Sequence, residues 1–143
     1  MKKIRKGFTL IELLVVIAII ALLSTLAVVA LNNARQKSRD AKRVSDVKQV
    51  QTALELYFAD QQAYPAGTTL QLGSADAKCL STGGFAATCS GTTTYMGQVP
   101  SDADPYYVYA SDGTDTYSIT FTLEGQTGSL AVGAHTATQN GIQ

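Results

Sequence analysis

Residues 1–31 read MKKIRKGFTLIELLVVIAIIALLSTLAVVAL. Lys2, Lys3, Arg5 and Lys6 form a cationic leader ending at Gly7, and from Phe8 to Leu31 the only charged residue is Glu12. As a helix rising about 1.5 Å per residue, this apolar run reaches about 35 Å, enough to cross the roughly 30 Å hydrocarbon core of a bilayer. The next cation is Arg35, so the dense leader charge predicts a cytoplasmic amino terminus and an exported remainder. Glu12 adds a requirement. An ionisable group that deep in a lipid-facing helix costs several kcal/mol unless paired, and this helix offers no cation within reach downstream. The partner must come from elsewhere. Cleavage after Gly7 would create an α-amino group on Phe8, well placed to meet the Glu12 carboxylate of a neighbouring chain.

Gly7-Phe8-Thr9-Leu10-Ile11-Glu12, preceded by the Lys/Arg leader and followed by the apolar run, resembles the class III signal of type IV prepilins and of the pseudopilins of type II secretion. In that family a membrane aspartyl peptidase cleaves after the glycine and methylates the new amino terminus. The resemblance implies Gly7 as the cleavage site, Phe8 as the methylated first residue and Glu12 as an assembly residue. It implies as partners other copies of the chain in a helical homopolymer, the prepilin peptidase, and a pilus or secretion platform in the membrane. Many members carry a proline in the apolar helix where this chain has Val29. Without that proline, any melting of the mid-helix in a filament falls to Ser24, Thr25 or Asn32-Asn33.

Two plainer readings accompany this one. Thr9-x-x-Glu12 is a capping-box pattern that stabilises a helix start, and it is compatible with the assembly role. Ala27-Val28-Val29-Ala30 resembles a secretory cleavage site, but the apolar stretch exceeds the usual 7–15 residues of such a signal and begins with an acid.

The 143 residues divide by expectation into a cleaved leader (1–7), a transmembrane and assembly helix (8–31), an amphipathic continuation (32–62), and an extracytoplasmic loop plus three-stranded antiparallel sheet (63–143). No Gly or Pro stands between Phe8 and Tyr64, so nothing stops one helix of roughly 80 Å from about Phe8 to Asp60. Val44, Val47, Val50, Leu54 and Tyr57, with Phe58, stripe one face, and Lys42, Ser45, Gln49 and Thr52 lie opposite. Tyr64-Pro65-Ala66-Gly67 ends the helix. The segment 68–98, rich in Gly, Ser, Thr and Ala, reads as a long connection. Tyr106 to Ala110 reads as a strand and 111–115 as a turn. Tyr117, Ile119, Phe121 and Leu123 alternate with polar residues as a second strand, and Leu130 and Val132 suggest a third. Thr136 to Gln143 reads as a polar tail. The expected fold is α+β, a long N-terminal helix whose second half covers a small antiparallel sheet, as in pilins.

The zero net charge hides an asymmetry, because beyond residue 60 only Lys78 opposes Asp76, Asp102, Asp104, Asp112, Asp115 and Glu124. This disfavours nucleic-acid binding by the isolated subunit. Cys79 and Cys89 suggest a disulfide in an oxidising compartment, with free thiols as the alternative; the spacing and the distant, sole His135 make a poor zinc site. His135 reads as a surface residue.

No catalytic constellation is present, which argues against an enzyme. Val99-Pro100-Ser101-Asp102 with Asp104-Pro105 resembles the calcium-binding loop of major pseudopilins, which implies calcium on Asp102, Asp104, Asp112 and Asp115. Ordinary Asp-Pro and Asp-Gly turns explain the same residues. The expected function is a structural subunit of a type IV pilus-like filament. It would start as a single-pass cytoplasmic membrane protein and end in an extracellular or periplasmic fibre. A type II secretion pseudopilin is the first alternative. A monomeric, signal-anchored extracytoplasmic binding module that keeps residues 1–7 is the second.

Overall fold

The computed structural model describes residues 7–102 and 106–143; the leader cations Lys2, Lys3, Arg5 and Lys6, and Asp104-Pro105, lie outside the described residues. The chain divides into two compact units, Met1–Gln36 and Lys37–Gln143.

A single α-helix, α1 (Leu10–Gln61), contributes to both. Its start is capped. The Thr9 amide and hydroxyl donate to Glu12 Oε2 at 2.8 and 2.7 Å, and the Glu12 amide donates to Thr9 Oγ1 at 3.3 Å. This is the reciprocal capping box expected of Thr-x-x-Glu. The helix runs unbroken through Ser24, Thr25, Asn32 and Asn33, with the Thr25 hydroxyl returning to the Leu22 carbonyl at 2.8 Å. It stops where Gln62 takes a positive φ of 57°, its amide still bonded to the Phe58 carbonyl at 2.8 Å, just before Tyr64-Pro65. That left-handed residue after the last turn is a common helix exit, here made without glycine.

Within Lys37–Gln143 the helix covers an antiparallel sheet of five strands in the order β1 (Gly67–Gln71), β5 (Val108–Ser111), β6 (Ser118–Leu123), β7 (Gly133–Thr138), β8 (Gly141–Ile142). Three strands of three residues, β2 (Cys79–Ser81), β3 (Gly84–Ala86) and β4 (Thr94–Met96), form a second sheet in the order β3-β2-β4. The register pairs Tyr109 with Ile119 and Phe121 with His135. As the alternation predicts, Tyr117, Ile119, Phe121 and Leu123 are buried, whereas Ser118, Thr120 and Thr122 are not. Val47, Val50, Leu54 and Tyr57 of α1 meet them in one core. An aromatic line continues it, with Tyr64 and Tyr117 ring centroids 4.6 Å apart and Tyr57 and Tyr95 5.4 Å apart.

Four expectations change. The three-stranded sheet is only the centre of a five-stranded one, and the presumed long connection 68–98 holds β1 to β4. The third strand of the meander begins at Gly133, after the exposed Val132. The presumed tail is paired: Thr136 and Gln143 exchange backbone hydrogen bonds of 3.0 and 2.9 Å, and Ala137 is fully buried. Short polar side chains hide these strands from a hydrophobicity pattern, since Ala137 is the one fully buried residue of β7.

Candidate functional site

In the Met1–Gln36 unit every residue from Gly7 to Arg35 is exposed. Phe8 is 87% exposed, Leu10 81% and Ile11 69%, and the helix window from this region has a mean hydropathy of 3.1 with none of it buried. It is long and apolar enough to cross a membrane. Each large aliphatic side chain gains about 1.5–3 kcal/mol on leaving water, so a bare helix of this composition requires lipid or other helices around it. The apolar side chains surround the axis, so the segment has no wet side to lay on water. Gly7 and Phe8 precede the first helical residue in exposed, non-helical backbone, with nothing within 4 Å of where a Gly7 Cβ would sit. This is a chain a peptidase can reach without unwinding a helix. Both cap bonds to the Glu12 carboxylate end on Oε2, and Oε1 takes no part in the cap.

The second concentration of polar chemistry lies in the other unit and was missed in the sequence. Asp40, Arg43 and Asp46 are 0%, 4% and 7% exposed, although they sit in a stretch that reads as a solvated charged run. Their spacing carried the signal: 40, 43, 46/47, 50, 53/54 and 57 form one three/four stripe, whose first members are charged rather than apolar. Arg43 Nη1 donates to Asp40 Oδ1 at 3.0 Å and pairs with Glu124 Oε1 at 2.9 Å, and Arg43 Nε donates to Asp102 Oδ2. Asp40 also accepts the backbone amides of Glu124 and Gly125 at 3.0 and 2.7 Å. Arg39 grips Glu124 with two nitrogens, Nε to Oε1 at 3.0 Å and Nη2 to Oε2. Hydrogen bonds from Arg39 first, then Arg43, hold the Glu124 carboxyl down to about 2. The Tyr107 hydroxyl donates to Asp46 Oδ2 at 3.0 Å, which Lys42 also approaches at 3.2 Å. Burial, with Asp46 adding to it, pushes the Tyr107 hydroxyl well above the usual phenol range.

Among the described residues, Asp102 stands apart from Asp112 and Asp115. Asp102 lies at the level of Arg43. Asp112 and Asp115 flank Thr114, whose carbonyl accepts the Tyr64 amide at 2.8 Å beyond the end of α1. Arg43 and Gln61 are eighteen residues apart on that helix, about 27 Å at about 1.5 Å per residue. Asp112 is spent in its own turn, accepting the Thr114 amide at 3.1 Å and the Thr114 hydroxyl, which together lower its carboxyl below the ordinary value. Asp104 lies outside the described residues, and among the described residues no three His, Cys, Asp or Glu side chains gather to hold a metal.

Cys79 and Cys89 form the disulfide, with Cα atoms 5.5 Å apart, tying β2 to the exposed segment after β3. His135 is partly exposed: Nδ1 faces the Gln143 carbonyl at 3.1 Å and Nε2 the Ala131 carbonyl at 2.8 Å.

The chain also has relatives. The family described as the prokaryotic N-terminal methylation motif matches residues 2–28. The type II secretion system core protein G of Escherichia coli (strain K12) is 41% identical over 61 residues, 43% of this chain and 42% of that protein. The protein of the same name from Pectobacterium carotovorum subsp. carotovorum is 39% identical over 62 residues, 43% of this chain and 40% of that protein. The type IV major fimbrial protein FimA of Dichelobacter nodosus is 38% identical over 60 residues, 42% of this chain and 38% of that protein. The chain thus spans between 38% and 42% of the length of these relatives. No solved structure matches.

Proposed function

We infer that this chain belongs to the type IV pilin and pseudopilin family and is the structural subunit of a pilus-like filament. The observation that carries this is the exposed apolar stretch of α1, which begins at a capped Glu12 directly after an accessible Gly7-Phe8 bond. The prepilin peptidase removes residues 1–7 and methylates Phe8. Residues 8–31 then hold the subunit in the cytoplasmic membrane until a pilus or secretion platform extracts it into an extracellular or periplasmic fibre.

In the fibre, apolar helices exchange lipid for one another through side-chain packing. Pairing of each Glu12 with a neighbour's Phe8 amine neutralises the one charge in the seam and fixes the axial stagger, the register role for which buried ion pairs are best attested. The capping bonds to Thr9 hold the carboxylate near the helix start, where that amine arrives.

Similarity to both secretion and fimbrial proteins supports two versions of this reading, a secretion pseudopilin and a surface pilin. Filament length on cells separates them. Substitution Glu12→Ala or Glu12→Val tests the mechanism. Both variants are expected to insert in the membrane and lose their leader yet assemble poorly, and normal fibres from either would refute it.

A further inference from the structure

We propose that Arg43 is the built-in cation of the globular part, giving Asp102 the counter-charge that a calcium ion would otherwise supply, so that this part is stable without metal. Family resemblance places calcium at the loop containing Asp102, but the described residues do not fit a calcium shell. Hard oxygens in a set of 6–8 are needed, and here the Asp102 carboxylate is given to a guanidinium.

Arg43 gathers carboxylates from three separate places in the chain: Asp40 from α1, Asp102 from the loop before β5, and Glu124 from the end of β6. Its side chain is 5% exposed, that of Asp40 0% and that of Asp102 24%. A planar, permanently charged fork suits this task better than an ammonium, because its nitrogens reach separate acceptors in fixed directions.

The backbone brings the loop to this cation. The Val99 amide bonds the Lys78 carbonyl at 2.7 Å. Gly73, at a φ of 72°, passes so close that a Cβ there would lie 2.9 Å from the Pro100 carbonyl oxygen. The loop is thus held from both sides, with Asp102 facing Arg43. A divalent ion entering here would meet the guanidinium first, and like charges exclude each other. Removing the guanidinium reverses that situation. Asp40, Asp102 and Glu124 would then lose the cation they share, leaving a group of carboxylates to which a hard divalent cation is the natural counter-charge.

The test uses the full chain in detergent micelles, with thermal unfolding followed in EDTA and in millimolar calcium chloride. The wild type is expected to show the same midpoint in both. Arg43→Gln is expected to fall by about 10–20 °C in EDTA and to recover several degrees in calcium. A wild-type midpoint raised by calcium overturns the proposal, and so does an Arg43→Gln protein that matches the wild type or ignores calcium. Should Arg43→Gln not fold in EDTA, Asp102→Asn decides: it keeps the cation and loses one partner, so its midpoint should drop by a few degrees and stay indifferent to calcium. An undiminished Asp102→Asn midpoint overturns the proposal.

Discussion

Replacing Asp40 by alanine is the sharpest probe of the globular unit, because a sequence pattern alone would call the change harmless. Asp40 is fully buried, and its carboxylate accepts Arg43 Nη1 at 3.0 Å and two backbone amides at 3.0 and 2.7 Å. In Asp40→Ala the amides of Glu124 and Gly125 lose their acceptor, at a cost of about 1–3 kcal/mol for each donor left unsatisfied. Arg43 keeps Asp102 and Glu124, so it is weakened rather than stranded. The turn after β6 is only part-buried, and water can restore some of the loss. The expected total is about 3 kcal/mol, near the lower end for breaking a buried pair. For a unit of this size about 1 kcal/mol moves the midpoint by about 4 °C, so a fall of about 12 °C follows. Asp40→Asn, which retains one acceptor oxygen, should lose about half as much. Near-ultraviolet circular dichroism of the buried tyrosines is the suitable signal, since the micelle-embedded part of α1 stays helical through the transition. A midpoint within about 4 °C of the wild type for Asp40→Ala would refute the reasoning.

Two other perturbations have defined outcomes. The Tyr117 hydroxyl is buried without a hydrogen bond of normal geometry among the described residues, since its polar neighbour Gln51 donates to the Thr138 carbonyl instead, and burial pushes it up to about 12. Tyr117→Phe removes that orphan without opening a cavity, so the midpoint should hold or rise, by up to about 1 kcal/mol in stability; a fall of that size would show that the hydroxyl has a partner. Glu124, held down to about 2, contributes stability that is complete above the ordinary glutamate range and lost as the pH falls from about 4.5 through 2. Glu124→Gln should be less stable than the wild type at neutral pH, and the gap in midpoint should close across that interval on acidification. A gap that stays constant to pH 2 would contradict the pairing with Arg39 and Arg43.

What could be read from the sequence divides along physical lines. α1 was legible to within two residues because fifty-odd positions without Gly or Pro leave the backbone one cooperative choice, and because Thr9 and Glu12 mark its start. β6 was legible because each of its inward residues is large and apolar and each outward one polar. β2, β3 and β4 are three residues each, too short to show a period, and they exist through pairing with one another and the Cys79–Cys89 link. β7 and β8 carry almost no bulk, and their place is set by partners far along the chain, Phe121 opposite His135 and Ala137 opposite Ile142. The Asp40, Arg43 and Asp46 cluster is hard to read because charged side chains rarely lie in a core, although its spacing places it on the core stripe. Asp102 and Asp112, which the resemblance to a calcium-binding loop groups together, stand at opposite ends of β5, and a strand carries its two ends apart.

The account rests on the apolar helix being an assembly element exposed by processing between Gly7 and Phe8. Intact mass of the subunit recovered from assembled fibres tests this most directly. The account predicts a chain that lacks Met1 to Gly7 and bears one added methyl group at Phe8. A fibre-derived chain that retains the MKKIRKG leader and carries no methyl group would contradict it.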